Sequence, residues 1–175
     1  MTIRLLFQRL RARLGTRYGA LLVIATLSVP ALGMSAPASA TEVTFTAKLN
    51  NYYGNDAYLA LYLTDRNGQY QRTLWVAGRH AKYYRHLRQW ARAGGQSRSE
   101  YDGRTGASVQ SGHILKVTAD LPDSLIDAGY DVRIDSAVED FRESPSDVVT
   151  PLTRDGAGQP VAGRGFVDSF RYDFR

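Results

Sequence analysis

The chain has 175 residues, no cysteine and a formal net charge of +5, which excludes a disulfide framework, thiolate metal ligation and thiol catalysis. Arg4, Arg9, Arg11, Arg13 and Arg17 all lie in residues 1–40 with no acid beside them, and without them the 22 basic residues fall to 17 against 17 acidic ones. That balanced remainder gives no general electrostatic case for a nucleic-acid partner, while 43% hydrophobic and 11% aromatic content is enough for a packed core.

The arginine-rich start is followed by an apolar run from Gly19 to Met34 and by small residues ending in Ala38-Ser39-Ala40. This order predicts a secretory signal peptide over residues 1–40, cleaved after Ala40. Pro30, the shortness of the run for a bilayer and the A-x-A site argue against a retained membrane anchor. No cysteine follows the run to take a lipid, so residues 41–175 are expected as one soluble domain, periplasmic or secreted.

Within that domain, Val43–Leu49 alternates apolar and polar side chains, the pattern of a half-buried strand. Ala57–Leu63 is apolar at every position but remains strand-like, and Asp65-Arg-Asn-Gly68 supplies the positive φ of a tight hairpin before Tyr70–Val76 returns. Between Ala81 and Ala93 the period changes. Tyr84, Leu87, Trp90 and Ala91 recur at three- and four-residue steps, predicting a short amphipathic helix stopped by Gly94-Gly95. Residues 96–112 read as a long exposed loop, Ile114–Thr118 as a strand, and Tyr130–Val138 as a strand with Tyr130, Val132, Ile134 and Val138 inward and Asp131, Arg133 and Asp135 outward. Phe170, Tyr172 and Phe174 close the core at the C-terminus. Six or so strands with one inserted helix predict a mainly β fold, an immunoglobulin-like β-sandwich.

Catalytic constellations are sparse. His80 and His86 stand six apart, on different faces of a helix, and with His113 form no metal-ligand pattern. Asp123, Asp127, Asp131 and Asp135 recur every fourth residue, but Gly129 breaks any helix that would align them, so they read as turn and surface residues rather than a calcium loop. No G-x-S-x-G elbow is present for a serine hydrolase. Trp75, Tyr83, Tyr84 and Trp90 are read as core-filling. Charge is segregated: Arg66 to Ser99 holds eight basic residues and no acid, and Glu100 to Asp147 eleven acids against four basic residues. Most of these read as solvated faces, with the cationic helix also suited to a phosphate, a lipid headgroup or an acidic redox partner.

The segment Asp102-Gly-Arg-Thr105-Gly106-Ala107-Ser108 offers an exposed hydroxyl approached through two nearly bare residues, a form around which another protein's active site can close. It resembles the acceptor sequence of bacterial flavin transferases, which attach FMN through its phosphate to the last Ser or Thr of such a motif in exported electron-transfer proteins. The resemblance implies Ser108 as the attachment residue, with Asp102, Thr105, Gly106 and Ala107 as the recognition frame. A serine stands where threonine is more usual. More widely, Ala60-Leu-Tyr-Leu, Asp65-Arg-Asn-Gly, Thr73-Leu-Trp and Lys82-Tyr-Tyr-Arg-His-Leu-Arg-Gln-Trp90 resemble a family of small predicted periplasmic proteins of unknown function, encoded beside flavin transferases and PepSY-type membrane reductases. Together these imply an electron carrier or redox subunit with covalent FMN, a flavin transferase and a PepSY-type membrane partner. Arg98, Arg104 and Lys116 are the expected counter-charges, and Tyr101 and Trp90 the aromatics to consider beside the ring. The rival reading is a non-redox accessory module that binds a periplasmic or membrane partner through its cationic helix.

Overall fold

The computed structural model describes residues 39–139 and 142–175. The expected signal peptide lies outside the described residues up to residue 38. Among the described residues nine strands form two sheets. In chain order they are β1 (Ala40–Leu49), β2 (Ala57–Thr64), β3 (Tyr70–Ala77), β4 (Thr105–Gly106), β5 (Ile114–Pro122), β6 (Asp131–Val138), β7 (Glu143–Pro151), β8 (Val161–Ala162) and β9 (Val167–Phe174). One sheet runs β5-β1-β9-β8 and the other β4-β3-β2-β6-β7, so the predicted β-sandwich is the observed fold.

The two inner faces enclose the main core. Phe45 and Ala47 from β1 and Phe170 and Tyr172 from β9 meet Leu59, Leu61 and Leu63 from β2 and Val132 and Ile134 from β6. Phe45 lies opposite Tyr172 and Ala47 opposite Phe170 in the antiparallel β1–β9 pair, so Phe45 and Phe170 meet diagonally with ring centroids 6.3 Å apart. The outer face of the first sheet is polar, with Lys48, Lys116 and Arg171 exposed to solvent.

The second sheet is apolar on both faces. All eight residues of β2 are buried, the odd-numbered ones in the main core and Tyr58, Ala60 and Tyr62 in a second cluster on the outer face. Residues 81–101 form a cap over that cluster. The expected single helix is instead a succession: a 3₁₀ segment (Ala81–His86), an α turn (Arg88–Trp90), a π segment (Ala91–Gly95) and a second α turn (Arg98–Tyr101). Gly94, at φ 104°, provides the left-handed residue that ends the main run. The predicted apolar stripe holds, because Tyr84, Leu87 and Trp90 are all buried against the sheet.

Polar contacts fix the cap in place. Asp135, fully buried, accepts hydrogen bonds from the Trp90 backbone N–H (2.9 Å), the Ser146 N–H (2.8 Å) and the Tyr62 hydroxyl (3.1 Å). Its expected outward surface position is therefore corrected: the outward face of β6 lies beneath the cap. Trp90 Nε1 donates to Thr73 (2.8 Å), the Tyr84 hydroxyl to the Gly78 carbonyl (3.0 Å), and the Tyr70 hydroxyl to Glu100 (2.5 Å). Burial, reinforced by the Glu100 bond, raises the Tyr70 pKa well above its usual range; at Tyr62 burial and the Asp135 charge do the same.

Candidate functional site

Residues 102–108 are the exception to the predicted free loop. Gly103, at φ 72°, turns the chain out of the second α turn, and Thr105–Gly106 then pairs in parallel with Val76–Ala77 as the edge of the five-stranded sheet. The Val76 N–H donates to the Arg104 carbonyl and the Gly78 N–H to the Gly106 carbonyl, both at 2.9 Å. At Gly78 β3 leaves the sheet for the cap, vacating the ladder position beside Ala57. Val109 fills it, exchanging two backbone hydrogen bonds with Ala57 at 2.7 and 2.9 Å. The segment is thus ordered by backbone groups that β3 would otherwise leave unpaired.

Each motif residue has a definable setting. Asp102, Thr105 and Ala107 are exposed, and Ser108 is half-buried. Gly106 lies against Trp75, where a Cβ would come within 2.8 Å of the indole ring, so this position excludes a side chain for packing reasons as well as any recognition reason. The Ser108 hydroxyl donates to Asp56 Oδ2 at 3.2 Å. Sequence reasoning missed Asp56, which lies 52 positions away and reaches the motif only through the β2–Val109 bridge.

Several expected neighbours stand elsewhere. Trp90 is fully buried and engaged with Thr73, which removes it as a surface for a bound ring. Tyr101 packs edge-on against Tyr84 at 5.2 Å. Arg104 turns its guanidinium back to the Glu100 carbonyl (3.1 Å), and Lys116 sits on the outer face of the opposite sheet. The cation that the chain path brings towards the motif is Arg79, exposed and next to Gly78. Among the described residues no cluster of three or more potential metal ligands occurs.

An open cleft of about 810 Å³ lies between the cap and the β6–β7 edge, walled by Tyr58, Tyr83 and Val138, by His86, and by the charged residues Arg88, Glu139, Arg142 and Glu143. Tyr58 and Tyr83 meet edge to face at 5.7 Å, with Gly78 packed on the Tyr58 ring where a Cβ would not fit. Glu143 accepts from His86 Nδ1 at 2.7 Å and pairs with the Arg88 guanidinium. Arg85 Nε donates to the other His86 nitrogen at 3.4 Å, which requires a free lone pair there and so assigns the proton to Nδ1. Burial pushes the Glu143 pKa up, but the His86 bond and the Arg88 charge outweigh it and hold the group below the usual carboxylate range.

Cleft and motif share one end of the sheet. Ala57 is flanked by Val109 on one side and Val138 on the other. Ala57 and Val109 face the main core and Tyr58 the outer face, while Ser108 is tied to this strand end through Asp56. Val109 and Val138 stand two strand spacings apart, about 10 Å. The cap carries the exposed cations Arg79, Lys82, Arg85, Arg88, Arg92 and Arg98, with no acid from residue 79 to residue 98, while the charged lining of the cleft itself sets Arg88 and Arg142 against Glu139 and Glu143.

A family model described as a predicted periplasmic protein (DUF2271) matches residues 40–169, which covers β1 to the first residues of β9, the cap, the motif segment and every wall of the cleft. The chain belongs to this family. Its description agrees with an exported protein and assigns no function. Comparison with curated proteins and with solved structures returns no match. Among the described residues no helix is long and apolar enough to cross a membrane.

Proposed function

We propose that this DUF2271 protein is an exported electron-transfer protein carrying FMN esterified to Ser108. The observation that carries the reading is the setting of the Ser108 hydroxyl. It is half-buried yet accessible, held by the Asp56 carboxylate, and flanked by exposed Asp102, Thr105 and Ala107. Edge strands are readily read by another protein because one side of their backbone is unpaired, and β4 is such an edge.

The attachment step draws on a donor in which the flavin phosphate is part of a pyrophosphate. Ser108 Oγ attacks the phosphorus bearing the flavin, the Oγ–P bond forms, the pyrophosphate P–O bond breaks, and the second nucleotide leaves. Asp56, already the acceptor of the Ser108 hydrogen bond, takes the hydroxyl proton. The phosphodiester that results retains one negative charge beside Asp56, an unfavourable pairing that Arg79 and the cationic cap offset. The flavin supplies the redox chemistry when bound; the protein supplies position, electrostatics and a docking face.

Co-expression with a flavin transferase followed by intact-mass measurement tests the assignment. The mass of esterified FMN is expected on the wild-type chain and absent from Ser108→Ala. An increment that survives Ser108→Ala, or that never forms on the wild type, refutes it. Asp102→Ala is expected to lower the modified fraction without unfolding the domain, since Asp102 is exposed.

The exposed cations of the cap favour a second reading, a non-redox module that binds an acidic partner. A colourless co-expressed protein whose partner capture is lost in Arg85→Glu/Arg92→Glu favours that module. Arg88 is left intact in this test because Glu143 already engages it.

A further inference from the structure

The cleft beside the cap has the properties of a small-molecule seat. Its volume of about 810 Å³ lies within the usual range for such sites, and it combines aromatic walls with a few fixed polar groups. The Tyr58–Tyr83 pair forms one wall. Opposite chemistry comes from His86 and Arg88, each oriented by a different oxygen of Glu143. A guanidinium carries five N–H donors, so Arg88 keeps donors free for a carbonyl oxygen of a planar ligand after its Glu143 pairing.

We propose that this cleft is the seat of the isoalloxazine ring, with Tyr83 and Tyr58 against the ring and Arg88 directed at its carbonyl edge. The inference rests on the FMN reading above and adds where the ring lies. Three observations converge on it. Ser108 is bonded to Asp56, and Asp56 and Tyr58 stand on either side of Ala57 at the same end of the sheet. Val109, next to Ser108, and Val138, in the cleft wall, stand two strand spacings apart, about 10 Å, on the order of the length of a ribityl phosphate arm. Within the cleft Arg88 and Arg142 balance Glu139 and Glu143, and Lys82 over the Tyr83 ring adds a cation beyond that balance, which favours a ring that gains negative charge on reduction. Lys82 is already held 4.7 Å over the Tyr83 ring.

The cleft can be tested apart from the covalent bond. A short tether provides an effective concentration of about millimolar, so a cleft occupied by the tethered ring must bind free FMN with a Kd at or below about 1 mM. The secreted Ser108→Ala protein, titrated with FMN, is expected to quench flavin fluorescence saturably, and Tyr83→Ala in that background to weaken binding about fivefold, the worth of one aromatic pairing. In the flavinylated wild type, Tyr83→Ala is expected to raise flavin fluorescence with the mass increment unchanged. Should Tyr83→Ala unfold the cap, Tyr83→Leu carries the same test with the bulk retained.

Absence of saturable FMN binding up to the millimolar range, or fluorescence indifferent to both Tyr83 variants, overturns the seat. A missing mass increment in a wild-type protein that still binds free FMN through Tyr83 refutes Ser108 attachment and leaves the cleft standing. The two failures are therefore separable.

Discussion

Asp135→Ala is the sharpest test of how the cap is held. The substitution removes a fully buried carboxylate and strands three donors: the Trp90 and Ser146 backbone N–H groups and the Tyr62 hydroxyl. Each buried donor left unpaired costs about 1–3 kcal/mol, less where local opening admits water, so a total loss of about 3–5 kcal/mol is expected. That is a large share of the roughly 5–15 kcal/mol of a typical domain. Urea denaturation of the secreted protein, followed by tryptophan fluorescence, measures it directly. The midpoint is expected to fall with little change in slope, and the thermal midpoint by about 10–20 °C. Asp135→Asn keeps one acceptor oxygen and is expected to fall between wild type and Ala. A loss below about 1 kcal/mol for Asp135→Ala would mean that these donors are not the cap's anchor and would refute the reasoning.

Three other outcomes are expected. Gly106→Ala places a Cβ within 2.8 Å of Trp75 and is expected to destabilise by about 1–3 kcal/mol, as overpacking does, with a changed tryptophan emission as the check. Tyr172→Phe removes a hydroxyl that donates to the Pro151 and Thr153 carbonyls and accepts from the Thr153 N–H, and a loss of about 1–2 kcal/mol by denaturant melting is expected. Because the Glu143 pKa is depressed in the folded protein, its stabilisation is present above the ordinary glutamate pKa of about 4.3 and is lost as pH falls through the lower folded value. Amide exchange across residues 81–95 is therefore expected to quicken on acidification below about pH 4, and Glu143→Gln to remove that part of the pH dependence.

The strands with clean alternation were legible from sequence, and so was the hairpin at Asp65–Gly68, where Asp65 Oδ1 accepts the Asn67 and Gln69 N–H groups. The stripe of Tyr84, Leu87 and Trp90 also pointed correctly to a helical element with one buried face. The sequence of β2, apolar at every position, already held the information that its sheet is covered on both sides, but a fully buried strand does not reveal what covers it. β7 escaped notice because Ser144-Pro-Ser-Asp147 has the composition of a turn. There the ladder with β6 shifts register, and Ser146 takes φ 51° with its N–H capped by Asp135. The motif residues were visible as a string, yet their order was not, since the backbone partners of Thr105, Gly106 and Val109 come from β2 and β3. Asp56 and the cleft depend wholly on such long-range pairing, and no local pattern marks them.

A central strand with no wettable side has a consequence for how the protein folds. Until residues 81–101 settle, Tyr58, Ala60, Tyr62 and Val76 form an adhesive surface on a half-assembled molecule. A sandwich that closes before the cap docks leaves this surface open. Substitutions that slow cap docking should show themselves as inclusion material or proteolysis before they alter any property of the finished protein.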